Sequence, residues 1–320
     1  MTLALAGDTM LGRKVADAAV RVSPRALFAG ELVALARQAD LLVVNLECCV
    51  STRGEPVDVP GKPFFFRAPP VSLEALRLLG VSCVTLANNH ALDFGPTALL
   101  DTLGHLEAAG IRAVGAGPRP AQARAPAVLA VGGFRLGVVA VTDHPAEYAA
   151  GPGRPGVAYA DLRHGVPDWL LAEIQELRGR VDAVLITPHW GPNMTPAPVP
   201  HVRAAARAFV QAGATLVAGH SAHVFHGVDG PVLYDLGGFV DDYAVHPVLR
   251  NDLGLLFLVT LDAAGPVRLE AVPLALGYCH TRLAGGADAD WVRERFTTAC
   301  EDFGTPVSER DGRLVVDYRA

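Results

Sequence analysis

The chain has 320 residues and a mass of 33.6 kDa, which is enough to bury a sizeable hydrophobic core. Its 33 glycines and 24 prolines, set among 51% hydrophobic residues, indicate many loops around buried elements and exclude a disordered chain. The 27 basic and 33 acidic residues give a net charge of −6, which argues against nucleic-acid binding.

In chain order, short apolar runs alternate with amphipathic stretches. Continuous apolar runs, typical of buried strands, cover 2–6, 41–46, 82–86, 183–187 and 215–218. Amphipathic helices are predicted over 30–38, 72–79, 96–109, 167–178 and 199–212. A hairpin is predicted over 127–131 and 135–141, followed by strands over 232–236, 255–261 and 267–274, a helix over about 288–300 and a last hairpin across Asp311-Gly312. This order predicts one α/β domain of two packed sheets with helices outside.

Neither a membrane span nor a disulfide framework is predicted. The N-terminal apolar stretch is short and lacks a basic flank, and no run approaches the roughly 18 apolar residues that cross a bilayer. The five cysteines are an odd number and form no CxxC pair. We therefore expect a soluble, cytoplasmic protein without a membrane anchor. The long loops over 50–70, 143–155 and 191–200 are of the length that is usually functional.

Each continuous apolar strand leads into a side chain that can bind a metal ion. In order these are Asp8, Glu47, the segment Asn88-Asn89-His90, His189 beside Trp190, and the pair His220 and His223. Ligands bind outside the carboxyl ends of strands in α/β sheets, so we expect the five strand ends to converge. Each residue alone also has a structural interpretation, as a loop cap, a solvated acid, a turn or a core histidine.

Together these residues have the composition of a divalent-metal centre. Asp8 and Glu47 supply carboxylates, Asn89 supplies an amide oxygen, and the three histidines supply imidazoles, a set that suits one or two ions. Nitrogen and oxygen donors do not separate Mn, Fe, Zn, Mg and Ca. His90 with Asp93 three residues later suggests an oriented acid/base pair, and the alternative is a buried hydrogen bond at a helix entry.

The ordered segments GDTMLGR, NLE, LANNHALDFG, PHWG, GHSAHV and YDLGGF resemble the CapA family of capsule and poly-γ-glutamate synthesis proteins, within the calcineurin-like metallophosphoesterase superfamily. The resemblance runs from Asp8 to about Asp252 and implies the four-layer fold of that superfamily, two packed β-sheets flanked by helices. It further implies one domain over 1–320, with the motifs in 8–252 and an extension over 253–320.

The resemblance also implies a role for each site residue. Asp8 and His223 would bind a first metal ion, Glu47 would bridge, and Asn89, His189 and His220 would complete a second site. His90 would match the acid/base histidine of the superfamily. Members usually begin Asp-x-His, whereas Thr9-Met10 follow Asp8 here, so the first site has one ligand fewer.

Several further polar or aromatic residues are candidates for substrate binding, and each has an ordinary structural alternative. Lys62 and Arg67 flank three phenylalanines in the long loop, where they would suit a lid over a carboxylate or phosphate. The candidate set is Lys62, Arg67, Asn88, Trp190, His226, Asp241, Asp242, Arg250 and His280.

Three functions fit this sequence. The first is a metal-dependent hydrolase of a phosphoester or peptide-type bond, with His90 as acid/base. The second is a metal-dependent peptide epimerase of the lasso-peptide type, to which some CapA-like proteins belong. The third is a non-catalytic scaffold in acidic polymer synthesis. The substrate would be a small molecule, a peptide or an acidic polymer, and the sequence does not indicate an oligomeric state.

Overall fold

A computed structural model of the protein describes residues 1–59 and 61–319, and two β-sheets organise this part of the chain. The strands, β1 to β20 in chain order, are Thr2–Thr9, Leu41–Leu46, Cys49–Val50, Arg67–Ala68, Cys83–Thr85, Arg112–Val114, Ala116–Gly117, Ala127–Val131, Phe134–Thr142, Gly156–Val157, Ala183–His189, Leu216–Ala218, Val228–Asp229, Val232–Leu233, Gly238–Val240, Leu253–Asp262, Gly265–Gly277, His280–Leu283, Ser308–Arg310 and Arg313–Asp317. The helices, α1 to α8, are Arg13–Arg21, Gly30–Ala36, Leu73–Leu79, Gly95–Ala108, Pro120–Arg124, Asp168–Arg178, Pro200–Ala212 and Gly286–Glu301.

The two sheets each contain a parallel central part. The first has the strand order β19-β20-β17-β16-β1-β2-β5-β6, with β15 beside β1 and β18 beside β17. The second has the order β13-β14-β12-β11-β9-β8. Strands β1, β2, β5 and β6 are parallel in one sheet, and β9, β11, β12 and β14 are parallel in the other. Parallel strands place their carboxyl ends at one edge of a sheet, where the predicted site residues follow.

Successive side chains of a strand point to opposite faces of its sheet, and this divides the core into layers. Leu3 and Leu5 of β1 pack into the core between the sheets, whereas Ala4 and Ala6 face the helices. Strand β11 repeats the pattern: Leu185 points inward and its neighbours pack under α6 and α7. Because both faces of each sheet are apolar, each must be covered, and burial of each large side chain contributes about 1.5–3 kcal/mol. The predicted arrangement of two packed sheets between helices is confirmed.

Some element bounds differ from the prediction. The predicted strand over 232–236 ends at Leu233. The chain then turns at Gly237, which has φ +78°, and a separate strand, Gly238–Val240, pairs with β1. Helix α1 and strand β18 were not predicted; α1 buries only Val15 and Ala19, so it has no broad apolar face that marks it in the sequence. Across residues 1–59 and 61–319, no helix combines the length and apolar character that a membrane crossing requires.

Candidate metal centre

A close backbone approach at the end of β1 positions Asp8. A Cβ atom added to Gly7 would lie 1.8 Å from the carbonyl oxygen of Gly237, so only glycine allows the two segments to touch. The Asp8 amide donates a hydrogen bond to that same oxygen at 2.8 Å. The pairing register shifts beside Asp8 on both neighbouring strands, and such irregularities commonly redirect a side chain at a functional site.

Five of the predicted ligands converge. The Nδ1 atom of His223 lies 3.0 Å from Oδ2 of Asp8 and 3.9 Å from Oε2 of Glu47. Nδ1 of His220 lies 3.3 Å from Oδ1 of Asp8, and Nε2 of His189 lies 3.5 Å from Oε1 of Glu47. One ligand atom each from Asp8, Glu47 and His223 fall within 4.8 Å of one another. These three residues form a candidate site for a metal ion.

Many donor atoms in this cluster are buried without a hydrogen bond. Within the described part of the chain, the buried atoms at the site that make none are Oε1 and Oε2 of Glu47, Oδ1 of Asn89, both ring nitrogens of His189, and Nδ1 of His220 and of His223. An unsatisfied buried polar group costs about 1–3 kcal/mol, and native proteins contain few. A divalent cation would satisfy several of these atoms at once, so the residues present fit such an ion.

The buried charges shift the pKa values of the cluster. Burial raises the pKa of Glu47 well above its usual value, whereas burial lowers that of His189 well below. Burial also opposes the charge of Asp8, but His220 and His223 outweigh it and hold the Asp8 pKa well below normal. Burial likewise opposes the charge of His223, but Glu47 and Asp8 outweigh it and raise the His223 pKa to about 10. In metal-free protein the proton on His223 therefore neutralises charge that a cation would otherwise neutralise.

The loop that carries two of the histidines has an unusual backbone. Ser221 has φ +113° and His223 has φ +59°, values that residues other than glycine rarely adopt. Buried Asp235 accepts hydrogen bonds from the amides of Ala222 and Gly237, both at 2.8 Å. Such backbone conformations persist where surrounding contacts hold them, and Asp235 provides these contacts.

His90 lies in a second polar cluster beside the first. Its Nδ1 atom lies 2.6 Å from Oδ2 of Asp93, and its ring stacks on Phe66 with centroids 3.9 Å apart. Lys62 lies 3.0 Å from Oδ1 of Asp93, and the Tyr148 hydroxyl donates to that oxygen at 2.9 Å. Burial lowers the pKa of His90 to about 4, although Asp93 opposes the shift. The predicted pairing of His90 with Asp93 is present in the structure.

Two cavities open beside His90. One has a volume of about 330 Å³, and its lining includes Lys62, Asn89, His90 and His144. The other has a volume of about 680 Å³, takes half of its lining residues from apolar and aromatic types, and reaches both His90 and His223. A substrate in either cavity would therefore lie against the clustered residues.

Three of the candidate substrate residues hold the framework of the site. Asn88 donates to the side-chain oxygen of Asn45 at 3.0 Å and accepts from the His90 amide at 3.0 Å. Trp190 is buried and donates from its indole nitrogen to the Tyr234 carbonyl at 2.9 Å. His226 contacts the Thr195 carbonyl at 2.8 Å, and burial lowers its pKa to about 4.

Three more of the candidate substrate-binding residues contact other parts of the protein and do not line the cavities. Arg67 donates to the carbonyl of Gly54 at 2.9 Å and lies over the ring of Phe94. Arg250 forms ion pairs with Asp252 at 2.8 Å and Asp288 at 2.9 Å. His280 contacts the Ala26 carbonyl at 2.7 Å. None of the three lines either cavity in the part of the chain that the structure describes.

The two adjacent aspartates differ. Asp241 accepts a hydrogen bond from the Tyr243 amide at 2.9 Å, and burial raises its pKa to about 6. Asp242 lines the larger cavity and pairs with Arg13 at 2.6 Å.

Sequence reasoning missed one polar pair near the centre. Asp143 and His144 are in contact at the end of β9, and the rings of His144 and His189 have centroids 5.1 Å apart. Asp143 also lies 3.3 Å from Nε2 of His201 and accepts from the Gly191 amide at 3.0 Å. The strand-end pattern would have found this pair if it had been applied to the predicted hairpin strand as well.

Comparison with known proteins places this geometry in a family. Residues 2–243 match the family described as "Bacterial capsule synthesis protein PGA_cap". A "Probable polyglutamine synthesis accessory protein" of Mycobacterium tuberculosis is 33% identical over 294 residues, which cover 86% of this chain and 76% of that protein. The "PGA biosynthesis protein CapA" of Bacillus subtilis is 29% identical, covering 99% of this chain and 82% of that protein.

A solved structure supports the fold. A hypothetical protein from Thermus thermophilus superposes with a TM-score of 0.50 at 16% identity, over 87% of this chain and all of that one. The CapA resemblance and the fold that it implied are thus confirmed. The chain belongs to the bacterial capsule synthesis protein family PGA_cap, which has a metallophosphoesterase-like fold.

Proposed function

We propose that this protein is a divalent-metal-dependent hydrolase that cleaves a phosphoester or peptide-type bond. One observation carries the proposal: carboxylate, amide and imidazole donors from distant parts of the chain are buried together with many ligand atoms unsatisfied. Burying polar and charged side chains together costs free energy unless a bound ligand, such as a metal ion, satisfies them. Side chains that served only to stabilise the fold would not need this mixture of carboxylate, amide and imidazole groups.

The chain would hold one or two cations through six side chains. The proposed ligands are Asp8, Glu47, Asn89, His189, His220 and His223. When bound, such ions supply Lewis acidity, which polarises a phosphoryl or carbonyl oxygen and lowers the pKa of water. Asp235 would keep the loop with the two later histidines in its unusual conformation, and Asn45, which donates to Asp8 at 2.8 Å, would fix that carboxylate.

His90 would be the acid/base residue. Asp93 contacts Nδ1 and so orients the ring, which leaves Nε2 to exchange a proton with a substrate or water. Among the described residues, no hydrogen bond involves Nε2 of His90. Asp93, which Lys62 contacts at 3.0 Å, can stabilise positive charge on the imidazole during proton transfer.

The proposal is tested by hydrolysis of an aryl phosphate with added Mn²⁺. We expect turnover that is lost in Asp8→Ala and reduced by about 10²- to 10⁴-fold in His90→Ala. His164→Ala is the matched control, because the His164 side chain is 85% exposed and remote in sequence from every proposed ligand. Turnover that survives Asp8→Ala, or falls equally in His164→Ala, would contradict the proposal.

A second candidate is the metal-dependent epimerase. The 330 Å³ cavity is lined by two histidines that are each paired with an aspartate, His90 with Asp93 and His144 with Asp143. Removal and return of a proton at one carbon atom needs an acid and a base, which two such pairs would supply. Solvent deuterium incorporated into a peptide without cleavage would favour this candidate over hydrolysis.

The names of the matched relatives refer to polyglutamine synthesis and to the biosynthesis of capsule and PGA. The PGA name supports an acidic polymer as one candidate substrate, beside a small molecule or a peptide, whereas a polyglutamine would be neutral. Metal binding without turnover of any of these classes would instead favour the non-catalytic scaffold.

A further inference from the structure

We propose that the site binds a substrate with a bulky apolar group, an aromatic or branched aliphatic side chain, next to the reacting bond. A run of free carboxylates is the alternative that we reject. The inference rests on the proposed function only in that the metal cluster marks the reacting position. The recognition itself would belong to the 680 Å³ cavity, which we call the apolar cavity.

The lining of the apolar cavity is the first argument. Its apolar and aromatic members include Phe64, Phe66, Met194, Tyr243, Val245 and Pro247. The same cavity reaches His90 and His223, which belong to the two polar clusters. A group bound among the rings would therefore lie next to the position where chemistry is proposed, as expected of a binding pocket in which apolar side chains adjoin polar groups.

The charges of the site are the second argument. Arg13 and Lys62 are the only lysine or arginine residues among the described residues that line the two cavities. Arg13 pairs with Asp242 at 2.6 Å, and Lys62 pairs with Asp93 at 3.0 Å. Since each of these two side chains already faces a carboxylate, neither provides unpaired positive charge along the cavity. The charge of a bound metal ion would be confined to the reacting position and would not serve a run of carboxylates. The net charge of −6 adds to this mismatch.

Arg13 also serves the apolar cavity in a different way. Its guanidinium lies 5.4 Å from the ring centre of Phe64, 5.3 Å from that of Phe66 and 5.7 Å from that of Tyr243. At this range a guanidinium is attracted to aromatic faces, so Arg13 fixes the three rings around it. Its backbone has φ +49°, and Asp242 contacts both the Arg13 side chain and the Lys14 amide. The ion pair thus supports the aromatic wall.

Exposure at the mouth of the cavity is the third argument. Phe64 is 56% exposed and Val245 is 55% exposed, although both line the cavity. Covering these exposed apolar side chains lowers the free energy, and an apolar side chain of a bound substrate would cover them. Phe64 also lines the smaller cavity, so a ligand can contact it while it reaches His90.

The test compares two dipeptides that share a γ-amide and an α-carboxylate. γ-Glutamyl-phenylalanine carries a ring where γ-glutamyl-glutamate carries a carboxylate, and binding is measured by calorimetry, which requires no turnover. We expect the phenylalanine dipeptide to bind at least about tenfold more tightly, since burial of a phenylalanine ring is worth about that factor or more. The measurement is made with and without Mn²⁺, so that recognition of the apolar group is separated from any contribution of the metal to binding.

Two variants of one loop provide the control. Val245→Asp puts a carboxylate into the apolar cavity, whereas Val248→Asp makes the same change at a residue that is 73% exposed and outside the lining. We expect Val245→Asp to weaken the phenylalanine dipeptide about tenfold and Val248→Asp to change it less than about twofold. Equal or tighter binding of the glutamate dipeptide, no binding of the phenylalanine dipeptide at millimolar concentration, or equal effects of the two variants would overturn the proposal.

Discussion

Replacement of Glu47 by glutamine should change stability in opposite directions with and without metal. Glu47 is fully buried, neither carboxylate oxygen has a hydrogen bond within the described residues, and burial raises its pKa. Glutamine keeps the shape but carries no charge. Burial disfavours the ionised carboxylate of Glu47, a cost that the neutral amide does not carry, so metal-free Glu47→Gln should be more stable by about 1–2 kcal/mol. In a chain of this size that corresponds to a rise in Tm of a few degrees.

With metal the order should reverse. A cation present at about 100 times its dissociation constant stabilises the wild type by about 2.7 kcal/mol, whereas the variant lacks the proposed bridging carboxylate and should gain little. Thermal unfolding with EDTA and with Mn²⁺ measures both effects. Glu107→Gln, at an exposed position of α4, should shift stability by less than about 0.5 kcal/mol under both conditions. If Glu47→Gln destabilised the metal-free protein or left the response to Mn²⁺ unchanged, Glu47 would not be a ligand.

Three further predictions concern the acid/base pair, the backbone contact at β1 and the cysteines. Asp93→Asn should lower the rate of aryl phosphate hydrolysis by about 10²-fold or more, because Asp93 orients His90 and stabilises its charge. Asp93 is not a proposed metal ligand, so the metal content should be unchanged, and metal loss in the variant would contradict this role. Gly7→Ala should destabilise the fold by about 3 kcal/mol or more in urea unfolding, because the added Cβ would lie 1.8 Å from the Gly237 oxygen. Gly104→Ala, at a helix position with open space around it, should stabilise the fold by about 0.5–1 kcal/mol, and equal effects of the two variants would refute the contact. All thiols should react slowly with a disulfide reagent at pH 8 and rapidly after unfolding, because burial raises each thiol pKa; fast reaction of the native protein would contradict the structure. The thiols are those of Cys48, Cys49, Cys83, Cys279 and Cys300.

The convergence of the polar side chains at the strand ends could be predicted because the sequence pattern that indicates it is local. A buried strand is recognisable as an apolar run, and the polar residue that follows it must lie at the end of the sheet. This reasoning placed Asp8, Glu47, His189, His220 and His223 at one edge, where the structure brings them within contact of one another. The layered fold followed from the same runs, since strands with two apolar faces must be covered on both sides.

The substrate candidates were less predictable, because their positions depend on loops. Arg67 and Lys62 flank the same phenylalanines in the sequence, yet Lys62 turns toward His90 while Arg67 binds carbonyls of its own loop. The loop has no regular hydrophobic pattern from which the orientations of these two side chains could be predicted. Arg13 was not identified at all, since its place in the apolar cavity depends on a pairing with Asp242, 229 residues away.

The central claim, that the clustered donors bind a divalent cation, is tested most directly by the metal content of the purified protein. After incubation with Mn²⁺ and gel filtration, elemental analysis should give between one and two ions per wild-type chain and clearly less for Asp8→Ala. A wild-type protein without stoichiometric metal when Mn²⁺, Fe²⁺ and Zn²⁺ are each offered, or an Asp8→Ala variant with an unchanged content, would contradict the account.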